Sequence, residues 1–253
     1  MIVNYTQQGR EFVTQRAHGI LAAQVAGHWN KKDRPKRWTE TLLAIAEHDD
    51  AECELDGENL LTPQGWPLNF DMKVFELKHC HKLPELLLTK NRYSCLLTSM
   101  YIDFLYRKDA HKVVGAAHFL QDQQKFRLCL RKELKITKQT TEEIYFFMEW
   151  FDACYLLLCQ CQIPPEKMTA EISQGSNGAK YLSFQPAKQT LGITPWPFAT
   201  VSFTVRFESR VLSTIQFADS ASFRKEFLEA PVKETLWTMK KAVPVTKPKT
   251  KKI

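Results

Sequence analysis

A chain of 253 residues, 44% of them hydrophobic, can bury a full core without disulfide staples, and its formal charge of +7 first suggests a polyanionic partner. The position of the charge argues otherwise: Lys240, Lys241, Lys247, Lys249, Lys251 and Lys252 carry six of the seven units, so the body is nearly neutral. The tail reads as disordered solvated chain, which sets nucleic acid aside. Membrane insertion is set aside as well, because no apolar window reaches the roughly 18 to 20 residues that span a bilayer.

In chain order, a short strand is expected over residues 1–5, followed by a helix over residues 11–29 with Phe12, Ala17, Ile20, Leu21, Val25 and Trp29 near helical period. His18 lies among these apolar positions. His28 is ten positions further on, about 280° around the wheel, and so faces elsewhere. A charged connection over residues 30–37 leads to a second helix over residues 38–48, capped by Thr39 and closed by His48. Asp56-Gly57 and residues 62–67 carry turn chemistry and mark a long surface loop of the kind that lies over a site.

Residues 70–88 predict a helix interrupted near Pro84, with His79 and His81 on the surface. Residues 93–106 predict a buried helix holding Asp103. A long amphipathic helix over residues 110–134 places His111 and His118, seven apart, on one face. Residues 141–160, capped by Thr140 or Thr141, are apolar nearly all round, as a central helix requires. Asp152 sits in the middle of that run, where a carboxylate is costly without a partner or a cation. From residue 163 the texture changes, and residues 167–217 alternate between apolar and polar, predicting three to five antiparallel strands. A short helix over residues 220–230, capped by Asp219 or Ser220, and a last strand over residues 232–239 complete the chain.

The seven cysteines lie mostly in apolar runs without a C-x-x-C pair, which points to reduced thiols and a cytoplasmic protein. Cys159 and Cys161 read as packing residues. There is no internal repeat, phosphate-cradling glycine loop or G-x-S-x-G elbow.

The chemistry concentrates in residues 42–52, where an apolar helical run ends in His48, Asp49, Asp50 and Glu52. A neutral imidazole beside a carboxylate suits divalent Mn, Fe, Co, Ni or Zn better than Ca. Partners embedded in other apolar helices are His18 and Asp152. Each alone has an ordinary structural role, as a core histidine, a helix-end aspartate or a buried ion-pair partner, but one cation accounts for all of these costly polar groups together.

The order His18, His48-Asp49, Asp152 resembles the HD-domain superfamily of metal-dependent phosphohydrolases, an all-helical fold in which those four residues bind a divalent cation. Nearly the whole chain is also similar to the bacterial domain-of-unknown-function-3891 family. The likeness is carried by residues 16–29 around His18, residues 44–50 around His48-Asp49-Asp50, residues 65–70, the Asp152 helix and residues 195–198. One departure is visible, since Ala51-Glu52 stands where such proteins often have Gly-Trp. The elements together predict an α+β fold, a mainly helical part over residues 10–162 that the resemblance makes an HD-like bundle, then a small antiparallel sheet with a short helix. Three regions follow, a core over residues 1–162, a β subdomain over residues 163–240 packed on it, and the tail over residues 241–253.

The expected function is hydrolysis of a nucleotide or another small phosphorylated metabolite. His18, His48, Asp49 and Asp152 hold the metal, Glu52 or Asp50 manages the proton, and Arg16 grips a phosphate. The alternative is a non-catalytic HD-like scaffold that binds a ligand or protein partner. An oxidative role for bound iron stands third. The substrate, the metal and the oligomeric state stay open at this level.

Overall fold

The computed structural model describes residues 1–50, 55, 60–72, 76–108, 110–164, 168–175 and 178–244. Among them are seven α-helices and one sheet of seven strands, and the sheet departs from expectation. Strands β1 (Ile2–Thr6), β2 (Gly9–Val13), β3 (Ala170–Gln174), β4 (Lys180–Ala187), β5 (Thr190–Thr194), β6 (Ser202–Leu212) and β7 (Val232–Lys240) lie in the order β1-β2-β6-β7-β5-β4-β3. It is larger than the small antiparallel sheet expected, and it is mixed, because β5 runs parallel to β7. It also takes two strands from the N-terminus.

Residues 11–13, expected in the first helix, belong to β2 instead. Period alone could not separate the two, because Phe12 and Val13 fit either element and are buried in both senses of the strand. Glu11 pairs in register with Val211, and its carboxylate accepts from Ser209 Oγ at 2.6 Å and from Lys233 Nζ at 2.8 Å. The β1–β2 turn needs Gly9: at φ +135° an added Cβ would stand 2.2 Å from the Leu212 carbonyl oxygen.

The helices are α1 (Gln15–Ala26), α2 (Trp38–Glu47), α3 (Leu77–Leu88), α4 (Arg92–Tyr106), α5 (Ala116–Leu134), α6 (Lys138–Cys159) and α7 (Ser220–Glu229). Thr14 starts α1 by accepting from Ala17 N at 3.1 Å. Thr137, rather than Thr140 or Thr141, does the same for α6, and Asp219, one of the two expected caps, caps α7. Thr39 lies inside α2 rather than capping it. Helix α3 runs unbroken through Pro84, so the expected interruption does not occur. His111 sits in a 3-10 turn before α5, and His118 pairs with Asp122 on an exposed face.

Period two decides which layer each strand serves. Ile2, Val13, Val205 and Phe207 face the main core with α1, α2, α4 and α6, whereas Met1, Val3, Phe12 and Leu212 face Phe223 and Phe227 of α7. The N-terminal hairpin is therefore buried on both faces. Helix α6 is central, packing against α1, α2, α4 and β3, and α1 packs against both α2 and β6. Trp29 anchors this core, with Phe147, Trp150, Phe151 and Phe198 within 5.0 to 5.7 Å of its ring.

Candidate metal centre

Three helices deliver the four sequence-predicted ligands to one place. His18 stands one turn into α1, His48 caps the C-terminus of α2 with Asp49 following, and Asp152 lies in the second half of α6. One ligand atom from each of His18, His48, Asp49 and Asp152 lies within 4.8 Å of the others, so the group can hold a metal ion. His18 and His48 are each 1% exposed.

The close approach of α1 and α2 depends on the residue after His18. A Cβ on Gly19 would lie 2.3 Å from the Ala46 carbonyl oxygen, so only glycine lets the two backbones meet here. That contact sets the two imidazole centroids 5.6 Å apart.

The polar contacts fit a cation. His48 Nδ1–H donates to the Ile45 carbonyl at 2.8 Å, which turns Nε2 toward Asp152 Oδ1 at 3.0 Å and Asp49 Oδ2 at 3.2 Å. A neutral ring in that tautomer points a lone pair at two carboxylate oxygens, an arrangement that needs a proton or a metal between them. His18 Nε2 lies 3.3 Å from the Asp152 carbonyl and 3.6 Å from its Oδ1, and its Nδ1 is buried without a hydrogen-bond partner among the described residues. Burial pushes His18 below its ordinary value of 6.5, outweighing the attraction of Asp152. Burial opposes charge on His48 as well, but Asp49 and Asp152 outweigh it and hold that ring well above 6.5. Burial also works against ionised Asp49, yet His48 beside it keeps its carboxyl below the usual carboxylate range.

Two residues beyond the sequence-predicted set touch the centre. Gln15 Nε2 donates to Asp49 Oδ2 at 3.2 Å, and Tyr101 of α4 donates to Asp49 Oδ1 at 3.3 Å while its ring packs edge-on to His48. Gln15 was findable, since it lies three residues before His18 and so shares its helix face. Tyr101 was not, because a tyrosine in an apolar run reads as core. A cavity of about 20 Å³, room for a single water, opens beside His48 and Asp49 between His79, Cys80, Tyr101 and Tyr106.

Arg16 is half exposed and engaged with Asp50, donating from Nη2 to its carbonyl at 3.1 Å with Nε 3.8 Å from Oδ1. Burial raises the Asp50 carboxyl, against the pull of Arg16. Glu52, the other expected proton carrier, lies outside the described residues, as do Asp56, Gly57 and residues 245–253 of the tail. The described part of the long loop, residues 60–69, docks away from the cluster, with Phe217 N donating to Gly65 O at 2.8 Å and Val3 N to Asn69 Oδ1 at 2.9 Å. His28 stacks on Phe203, and His81 packs on Phe119. Cys159 is buried and Cys161 exposed; burial pushes both thiols up, which favours packing over thiolate chemistry. Among the described residues no helix is long and apolar enough to cross a membrane.

No curated protein and no solved structure matches the chain. The family described as "Protein of unknown function (DUF3891)" matches residues 1–214, which include all four ligand-capable residues. The chain belongs to the DUF3891 family.

Proposed function

We propose that the protein is a divalent-metal-dependent phosphohydrolase acting on a nucleotide or another small phosphorylated metabolite, with His18, His48, Asp49 and Asp152 holding the ion. The observation that carries this reading is the placement of the His48 ring: with Nδ1 held by the Ile45 carbonyl, Nε2 faces two carboxylates at 3.0 and 3.2 Å, where a cation can take the place of a proton. The order His18, His48-Asp49, Asp152 supports an HD-like site on the same grounds. Two histidines with carboxylates suit Mn, Fe, Co, Ni or Zn. When bound, such an ion lowers the pKa of water and offsets charge on a phosphate. In hydrolysis the water oxygen bonds to phosphorus as the ester P–O bond breaks, and the water's proton must pass to the leaving alkoxide. Glu52 or Asp50, the latter raised by burial, carries the proton in this reading, and Arg16 grips a phosphate oxygen after releasing Asp50.

A second reading, a non-catalytic HD-like scaffold, is favoured by the engagement of Arg16 with Asp50 and by a cavity of only about 20 Å³ beside the histidine. Metal analysis of the purified protein, followed by assays on nucleotides and generic phosphodiesters with His48→Ala and Asp49→Ala as controls, separates the two. Turnover that follows bound metal and disappears in both variants supports the hydrolase; stoichiometric metal without turnover supports the scaffold; no bound metal sinks the metal site.

A further inference from the structure

We infer that Tyr101 is a positioning residue of the ion site, whose hydroxyl holds one oxygen of Asp49 aside so that the other faces the histidines; this rests on the metal reading above. The two carboxylate oxygens have different surroundings. Oδ2 lies 3.2 Å from His48 Nε2 and 3.2 Å from Gln15 Nε2, on the side of the ligand cluster. Oδ1 accepts from Tyr101 Oη at 3.3 Å, on the side of α4. The terminal torsion of an aspartate is broad and roughly two-fold, so packing of the chain alone leaves the choice of oxygen open. A fixed donor closes it.

Tyr101 is fixed. It is 5% exposed, and its ring meets the His48 imidazole edge-on at 4.9 Å and 87°, so the phenol cannot swing without displacing a ligand. One side chain on α4 therefore steadies both members of the His48-Asp49 pair, neither of which α4 supplies. Asp49 then offers one oxygen to an ion, and a site held to one donor per residue keeps its remaining positions free for water and substrate.

An internal control lies two turns before Asp152 on α6. Tyr145 is also 5% exposed, but its hydroxyl has no hydrogen-bond partner among the described residues, so phenylalanine there breaks no hydrogen bond.

Wild type, Tyr101→Phe and Tyr145→Phe are titrated with Co²⁺, reading affinity and coordination from the visible absorption of the bound ion. The expected result is binding about 10- to 100-fold weaker in Tyr101→Phe, with a changed Co²⁺ spectrum as the carboxylate loses its fixed orientation, and wild-type behaviour in Tyr145→Phe. Equal affinity and spectrum in all three proteins overturns the role of Tyr101 and leaves the metal reading standing. Failure of wild type to take up Co²⁺ overturns the metal reading and this inference with it. Should circular dichroism find Tyr101→Phe unfolded, the near-ultraviolet tyrosine spectrum of wild type and Tyr145→Phe decides. Loading with colourless Zn²⁺ must perturb a tyrosine band in both proteins, and an unperturbed band overturns the inference.

Discussion

The His48 imidazole donates its Nδ1 proton to the Ile45 carbonyl oxygen, 2.8 Å away and one turn back along α2. A helix ends with carbonyls that lack intrahelical partners, and this one is satisfied by the residue whose other nitrogen is needed elsewhere. Capping and ligand orientation are thus one interaction. Replacing His48 with alanine leaves Asp49 and Asp152 facing each other without the group between them. His48→Ala should therefore abolish divalent-ion uptake, as should Asp49→Asn. Calorimetric titration with Mn²⁺ or Zn²⁺ checks both, and wild-type affinity in either variant would remove that residue from the ligand set.

The two histidines titrate in opposite directions, which sets the pH dependence of the ion-free protein. His48 is raised above 6.5 in the fold, so its contribution is fully present below pH 6.5 and is lost as pH rises through its folded value. His18 is lowered, so its contribution is full above 6.5 and is lost as pH falls from 6.5 toward its folded value. From this pair the ion-free protein should be most stable near pH 6.5, falling on both sides. Bound metal replaces the proton on His48 and should remove the alkaline loss. Thermal melts between about pH 5 and 8, with and without ion after chelation, measure this. An alkaline slope that persists unchanged in loaded protein would contradict it.

Gly19→Ala inverts the usual helix rule. At an exposed helix position the change to alanine stabilises by about 0.5–1 kcal/mol. Here the new Cβ meets the Ala46 carbonyl at 2.3 Å, so α1 and α2 must part, at a cost of about 1–3 kcal/mol for overpacking. Because those helices carry His18 and His48, ion affinity should fall together with the melting temperature. A stabilised variant with intact binding would show that the two helices part more freely than their packing suggests.

The family match ends at residue 214, yet β7 (Val232–Lys240) lies between β6 and β5 in the sheet. It pairs with β6 from Ser202↔Lys240 to Arg210↔Val232 and with β5 at Thr190↔Thr238. A chain ended at residue 214 exposes the edges of both strands and uncovers Phe12 by removing Phe223 and Phe227 of α7. It should aggregate, while a chain ended at residue 244 should give the wild-type circular dichroism and melt. Soluble, cooperatively unfolding protein from the shorter chain would refute the central role of β7.

Phe12 itself is 1% exposed and meets the Phe223 and Phe227 rings at 5.5 and 6.2 Å. Phe12→Ala should cost about 3–5 kcal/mol in urea unfolding. Ion affinity under native conditions should hardly change, because the ring lies in the α7 cluster and the ligands lie in the main core. A large loss of affinity without unfolding would link the two regions.

The amino-acid sequence by itself determined most of the helices, the turn to strands after residue 163, the start of α7 at Asp219 or Ser220, and the four ligand candidates. Those signals are local: apolar period, a capping side chain, and ionisable groups set in runs where burial makes them costly. Whether residues 11–13 form strand or helix was decided by tertiary structure, because Glu11 finds Ser209 and Lys233 nearly two hundred residues or more away. The parallel pairing of β5 with β7 has the same origin, since two short alternating segments carry no record of which neighbour lies between them. The partners of Asp49 and the engagement of Arg16 with Asp50 were likewise settled only in space. Tyr101 and Asp49 sit on different helices, and a hydrogen bond between them depends on how those helices cross, which no local pattern encodes.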